Sequence, residues 1–156
     1  MVPQDSLQVH DAGFENLPSI QFVYHHLVTF AIFLILISIL TITKKLTANE
    51  KKKLVANIVV RLAIFYLVRF MLLELTYFKT GGGLRNILPS GHSGLTFIIL
   101  FSLYIANVIP ILPTILMVLV QLIIPVLTRA HHTIDPLISL FICIVLVQNV
   151  DVNKLL

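Results

Sequence analysis

Long apolar stretches separated by short polar segments dominate this chain and leave it few folds. Residues 22–43 run up to Lys44 and Lys45, residues 54–78 are interrupted by Arg61, Arg69 and Glu74, and residues 94–109 stop at Pro110. Residues 111–128 and 134–150 complete the set. A helix needs about 20 residues to cross the hydrocarbon of a bilayer, with a lower limit near 17, so the last three are minimal spans. Ile and Val abound, but runs of this length lack the alternation of membrane β-strands. The expected fold is all-α: a polytopic transmembrane helical bundle of about five spans. A polar N-terminal segment (1–21), one membrane domain (22–150) and a tail (151–156) make up the expected organisation.

Composition points the same way. Of 156 residues, 58% are apolar and 12% charged, against roughly 45–50% and about 25% in soluble domains. So few charges cannot cover a water-soluble surface, which argues against a soluble globular protein. Lys+Arg outnumber Asp+Glu 11 to 7, a net charge of +4. The excess is clustered, so it reports topology rather than nucleic-acid binding. Lys44, Lys45, Lys51, Lys52 and Lys53 fall between the first two stretches, and positive charge in a short loop marks the cytoplasmic side. A solvated charge run without topological meaning is the alternative. Taken as topology, the lysines place the N-terminus and the segment 79–93 on the non-cytoplasmic side, and the C-terminus with Lys154 in the cytoplasm. Residues 1–21 contain Asp5, Asp11, Glu15 and two prolines and no cationic start, so no signal peptide is expected. Cys143 is the single cysteine, which excludes an intrachain disulfide and a Cys-rich metal site; it reads as a small buried apolar group.

Segment 79–93 departs from a generic bundle. Five of the six glycines lie between 81 and 94, together with Lys79, Arg85 and His92. Glycine permits close backbone approach to a ligand, and successive N–H groups form anion-binding concavities. Pro89 and Ser90 suit a helix start whose N–H groups face that loop. A flexible connector is the plainer alternative.

A second polar cluster, Thr128-Arg129-Ala130-His131-His132-Thr133-Ile134-Asp135, lies between the last two stretches. The two stretches joined at Pro110 have 16 and 18 residues, rising about 24 and 27 Å. A tight turn at Pro110–Pro113 makes them antiparallel, so His92 and His131 return to the same face. A histidine nucleophile needs a neutral, oriented imidazole, which a carboxylate supplies. Asp135, four residues after His131, is placed for this if the segment is helical. His92 can protonate a leaving alkoxide or take a proton from an incoming hydroxyl. Lys79, Arg85, Arg129 and the backbone amides near Ser90 and Gly91 can neutralise charge on a phosphoryl group. Zinc held by His92, His131, His132 and Asp135 is conceivable, but the chemistry requires neither metal nor cofactor.

Pro89-Ser90-Gly91-His92 followed by His131-x-x-x-Asp135 resembles the second and third motifs of the type 2 phosphatidic acid phosphatase superfamily. Within it, His131-His132-Thr133-Ile134-Asp135 is similar to the His-Tyr-Thr-x-Asp signature of the sphingomyelin synthase-like branch. The resemblance covers about Arg61 to Phe141. It implies a helical bundle with its site at one membrane face, His131 as a nucleophile forming a phosphohistidine, Asp135 as its orienting partner and His92 as the acid/base. Three departures stand out. Lys79 and Arg85 are one residue closer than in the phosphatase first motif, Asn86 stands where that motif has proline, and Pro125 stands where the third motif has arginine. The implied activity is transfer of a phospho-headgroup between lipids. Hydrolysis of the same intermediate, as in a lipid phosphate phosphatase, and non-catalytic lipid binding are the alternatives. A phospholipid or lipid phosphate and the bilayer are the expected partners, with oligomeric state open.

Arg61, Phe65 and Arg69 share a helix face, with Arg69 able to pair with Glu74 or a phosphate. Snorkelling or structural pairing is the plainer expectation for both arginines. His25 and His26 read as interfacial.

Overall fold

A computed structural model describes residue 36 and residues 46–80, 89–127 and 133–152, the side chains of 75–80 excepted. Among the described residues the chain is all-helical, with α1 at Ala48–Thr80, α2 at Gly91–Ile105, α3 at Ile111–Leu127 and α4 at Ile134–Asn149. The apolar stretch 22–43 lies outside the described residues except for Leu36, which is helical and buried.

Local chemistry, rather than apolar content, sets the helix ends. Thr47 and Glu50 form a reciprocal cap. The Thr47 N–H donates to Glu50 Oε2 at 2.6 Å and the Glu50 N–H donates to Thr47 Oγ1 at 3.3 Å, satisfying two donors that a helix start leaves open. Helix α1 therefore begins at Ala48 rather than 54, and takes Lys51, Lys52 and Lys53 out of the expected loop. It also runs past 78 to Thr80, so Lys79 belongs to a helix and not to a connector.

Helix α2 begins at Gly91 and ends at Ile105, earlier at both ends than the apolar stretch 94–109. Its stop is a left-handed Asn107 (φ 55°). The Val108 N–H reaches back to the Leu103 carbonyl and the Asn107 N–H to that of Tyr104, both at 2.9 Å. This six-to-one and five-to-two pairing closes the helix while apolar residues continue. Val108 and Ile109 are buried in the turn as core, not as helix. The Pro110 carbonyl accepts the Thr114 hydroxyl at 2.8 Å, starting α3. Pro125 sits inside α3, where it removes one ladder hydrogen bond near the helix end.

Helix α1 runs antiparallel to α2 and α4. Tyr66 and Arg69 reach the start of α2, whereas Arg61 reaches Ser102 and the end of α4. The tightest contact is between α2 and α4. There Cys143 Sγ donates to the Gly94 carbonyl at 3.5 Å, and the Phe65 ring of α1 fills the space that a Cβ on Gly94 would need. Small residues allow backbones to approach this closely.

The interior holds polar side chains beside the apolar core of Phe65, Phe97, Leu100 and Leu103, and large apolar side chains also face outward. Asn57, Arg61, Thr96, Gln121 and Asp135 are buried, while Leu67, Phe70, Leu112 and Phe141 face outward. On α4 alone, Asp135 is 1% exposed and Phe141 69%. By length and composition, α1 through Ala48–Glu74 is long and apolar enough to cross a membrane; α2, α3 and α4 are apolar but shorter.

Candidate functional site

Two hydrogen bonds join the starts of α2 and α4. Ser90 is the N-cap of α2; its hydroxyl accepts the Ser93 N–H at 3.3 Å and the Ser93 hydroxyl at 3.0 Å. A serine here satisfies one of the open N–H groups of the first turn. The Ser90 N–H points to the Asp135 carbonyl at 3.4 Å. From the other helix, the Ser139 hydroxyl shares its one proton between the Ser90 carbonyl at 3.1 Å and, within α4, the Asp135 carbonyl at 2.9 Å. Ser90, Ser93 and Ser139 are each fully buried.

Two side chains of α1 complete this end. Arg69 Nε donates to the Pro89 carbonyl at 2.9 Å and the Tyr66 hydroxyl to the Gly91 carbonyl at 3.2 Å. Arg69 thus meets the backbone just ahead of α2. Its bond to Pro89 uses Nε alone, leaving the two terminal nitrogens of the guanidinium for other acceptors. His92 lies in the first turn of α2, half-buried, with its carbonyl accepting the Thr96 hydroxyl at 3.0 Å.

The structure therefore brings Ser90, Gly91, His92 and Asp135 to one end of the bundle. It does not bring Lys79 there through α1. That residue lies ten positions beyond Arg69 on the same helix, about 15 Å along the axis. Arg85, Arg129, His131 and His132 lie outside the described residues, so the pairing of His131 with Asp135 falls outside them too. Helix α4 begins at Ile134, which puts Asp135 in its first turn. Among the described residues no three His, Cys, Asp or Glu side chains gather as a metal site.

Sequence reasoning missed Ser139 and Tyr66. Ser139 had a signal: it follows Asp135 by one helical turn in an otherwise apolar helix, where a hydroxyl needs an acceptor. Tyr66 had none, since a tyrosine in an apolar helix reads as packing until its partner is known.

Compared with protein-family models, curated proteins and solved structures, the chain matches none.

Proposed function

We propose that this protein is an integral, multi-pass membrane enzyme that moves a phospho-headgroup between lipids through a phosphohistidine on His131. The single observation carrying the reading is the bond set that joins Ser90 to Asp135 and Ser139. It fixes the Pro89–His92 segment beside the carboxylate-bearing turn of α4, as a two-helix catalytic site requires. The outward apolar surface, with polar side chains such as Asn57, Gln121 and Asp135 kept inside, supports a bilayer around about five spans, with Lys51 towards the cytoplasm and the Ser90 end away from it.

In this scheme His131 attacks phosphorus, a P–N bond forms, and the P–O bond to the departing lipid breaks. His92 gives the leaving oxygen its proton. An acceptor hydroxyl then attacks phosphorus, passes its proton to His92, and releases His131 as the P–N bond breaks. Asp135 holds the His131 tautomer, as an orienting carboxylate does in other His-based sites. Arg69 joins Arg85, Arg129 and the first N–H groups of α2 near Ser90 and Gly91 as candidates for neutralising phosphoryl charge.

The test is purified protein with labelled lipid donors, with and without a lipid alcohol acceptor, followed by lipid separation. Label appearing in the acceptor lipid supports transfer. Release of water-soluble label regardless of acceptor gives the phosphatase instead. Tight lipid binding without turnover, surviving His131→Ala, gives a binding protein.

A further inference from the structure

One cation of α1 stands at the seam between the packed bundle and its outer surface. Arg69 lies near the end of the stretch Ala48–Glu74, which is long and apolar enough to cross a membrane. Phe65, one turn earlier, is fully buried, whereas Tyr66 and Phe70 are exposed. A helix turns about 100° per residue, so Arg69 falls between the buried face of Phe65 and the exposed face of Tyr66 and Phe70. Its guanidinium is aimed by the bond from Nε to the Pro89 carbonyl at 2.9 Å. It rests beside the first residue of α2: a Cβ on Gly91 would come within 3.6 Å of Arg69 Nε and 3.5 Å of the Tyr66 ring.

The bond to Pro89 takes one of the five N–H donors of an arginine and leaves those on Nη1 and Nη2 for other acceptors. A charge inside a membrane span is costly without a partner. A guanidinium fork held in one orientation matches the paired oxygens of a phosphate. Tyr66 and Phe70 place an apolar flank next to that fork, where acyl chains of the same molecule can lie.

We propose that a lipid-borne phosphate reaches the Ser90 end from the bilayer, along the Tyr66–Phe70 face of α1, and is bound there by Nη1 and Nη2 of Arg69. This rests on the lipid reading above and deepens it, naming the side from which the lipid arrives and the residue that holds its phosphate before any bond breaks. The chains stay against Tyr66 and Phe70, so a phosphate without chains binds poorly. Binding requires neither His131 nor turnover.

The experiment is calorimetric titration of the purified full chain in detergent with a short-chain phosphatidic acid, the matching diacylglycerol and glycerol phosphate. Saturable binding of the phosphatidic acid is expected, about tenfold tighter than either of the others, as hydrogen bonds to a charged group confer. Arg69→Gln should lower the affinity for phosphatidic acid to that for diacylglycerol and leave diacylglycerol binding unchanged. An arginine with only a structural role would weaken both lipids alike. Arg69→Lys keeps the charge without the fork and should retain a reduced preference; it carries the test if circular dichroism shows the glutamine variant unfolded. His131→Ala should bind as the parent does. Equal affinities for phosphatidic acid and diacylglycerol, tighter binding of glycerol phosphate, or a full preference kept in both Arg69 variants overturns the proposal. An Arg69-dependent preference in a parent that turns over no lipid removes the transferase and leaves this site standing, whereas turnover without that preference does the reverse.

Discussion

The Ser139 hydroxyl, fully buried in α4, donates to the carbonyl of Ser90, 49 positions away in the sequence, at 3.1 Å and so joins the starts of two helices. One serine thereby sets the distance between the segment carrying His92 and the turn carrying Asp135. Ser139→Ala should lower stability by about 1 kcal/mol, the net worth of a typical buried hydrogen bond. Turnover should fall further than that loss explains, because small displacements of positioned groups are costly. Thermal unfolding in detergent beside lipid turnover checks both. Unchanged turnover in a destabilised variant would make the bridge purely structural.

Gly94→Ala tests the close approach of α1 to α2. The added methyl would overlap the Phe65 ring, which is fully buried. Overpacking of this kind costs about 1–3 kcal/mol. Adding Phe65→Leu should recover part of the loss, because adjacent residues couple and their effects do not add. Melting temperatures of the two single variants and the double variant measure that coupling.

Arg61→Gln should loosen the end of α4, because the guanidinium donates to the Val147 and Val150 carbonyls. Hydrogen bonds from a charged group are worth about 1.5–3 kcal/mol each, so a loss of roughly 2–3 kcal/mol is expected once glutamine recovers one of them. Hydrogen exchange should rise at the end of α4 and stay unchanged at its start. A uniform rise along α4 would contradict a local latch.

Most of the helical architecture is legible in the sequence, and the boundaries are not. Apolar runs report where a helix is buried or solvated by lipid; caps report where it starts and stops. The two disagree at Lys51–Lys53, which the Thr47–Glu50 cap draws into α1. They disagree again at Val108 and Ile109, which stay apolar after Asn107 has ended α2. Of the candidate site, Ser90, His92 and Asp135 were legible because their polar chemistry interrupts apolar helices. The Arg69–Pro89 bond was not, because an arginine in a helix carries no sign of which backbone it meets.

The proposed membrane orientation is tested by cysteine labelling on a Cys143→Ser background, which keeps a small donor beside the Gly94 carbonyl. A reporter at Ser90 would be fully buried, whereas Ile134 and Lys52 are exposed. Lys52→Cys should react with an impermeant reagent from the cytoplasmic side and Ile134→Cys from the other. Labelling of both from one side would overturn the arrangement.

The most direct measurement is covalent trapping of phosphate from a labelled lipid donor. An acid-labile phosphoprotein should form in the parent and be absent in His131→Ala. His92→Ala should slow turnover about 10²–10⁴-fold, the range for a general acid/base group. In the proposed mechanism the residues act as a unit, so His92→Ala/His131→Ala should be scarcely worse than His131→Ala alone. Acid-labile phosphate at parent levels in His131→Ala would contradict the assignment of the nucleophile.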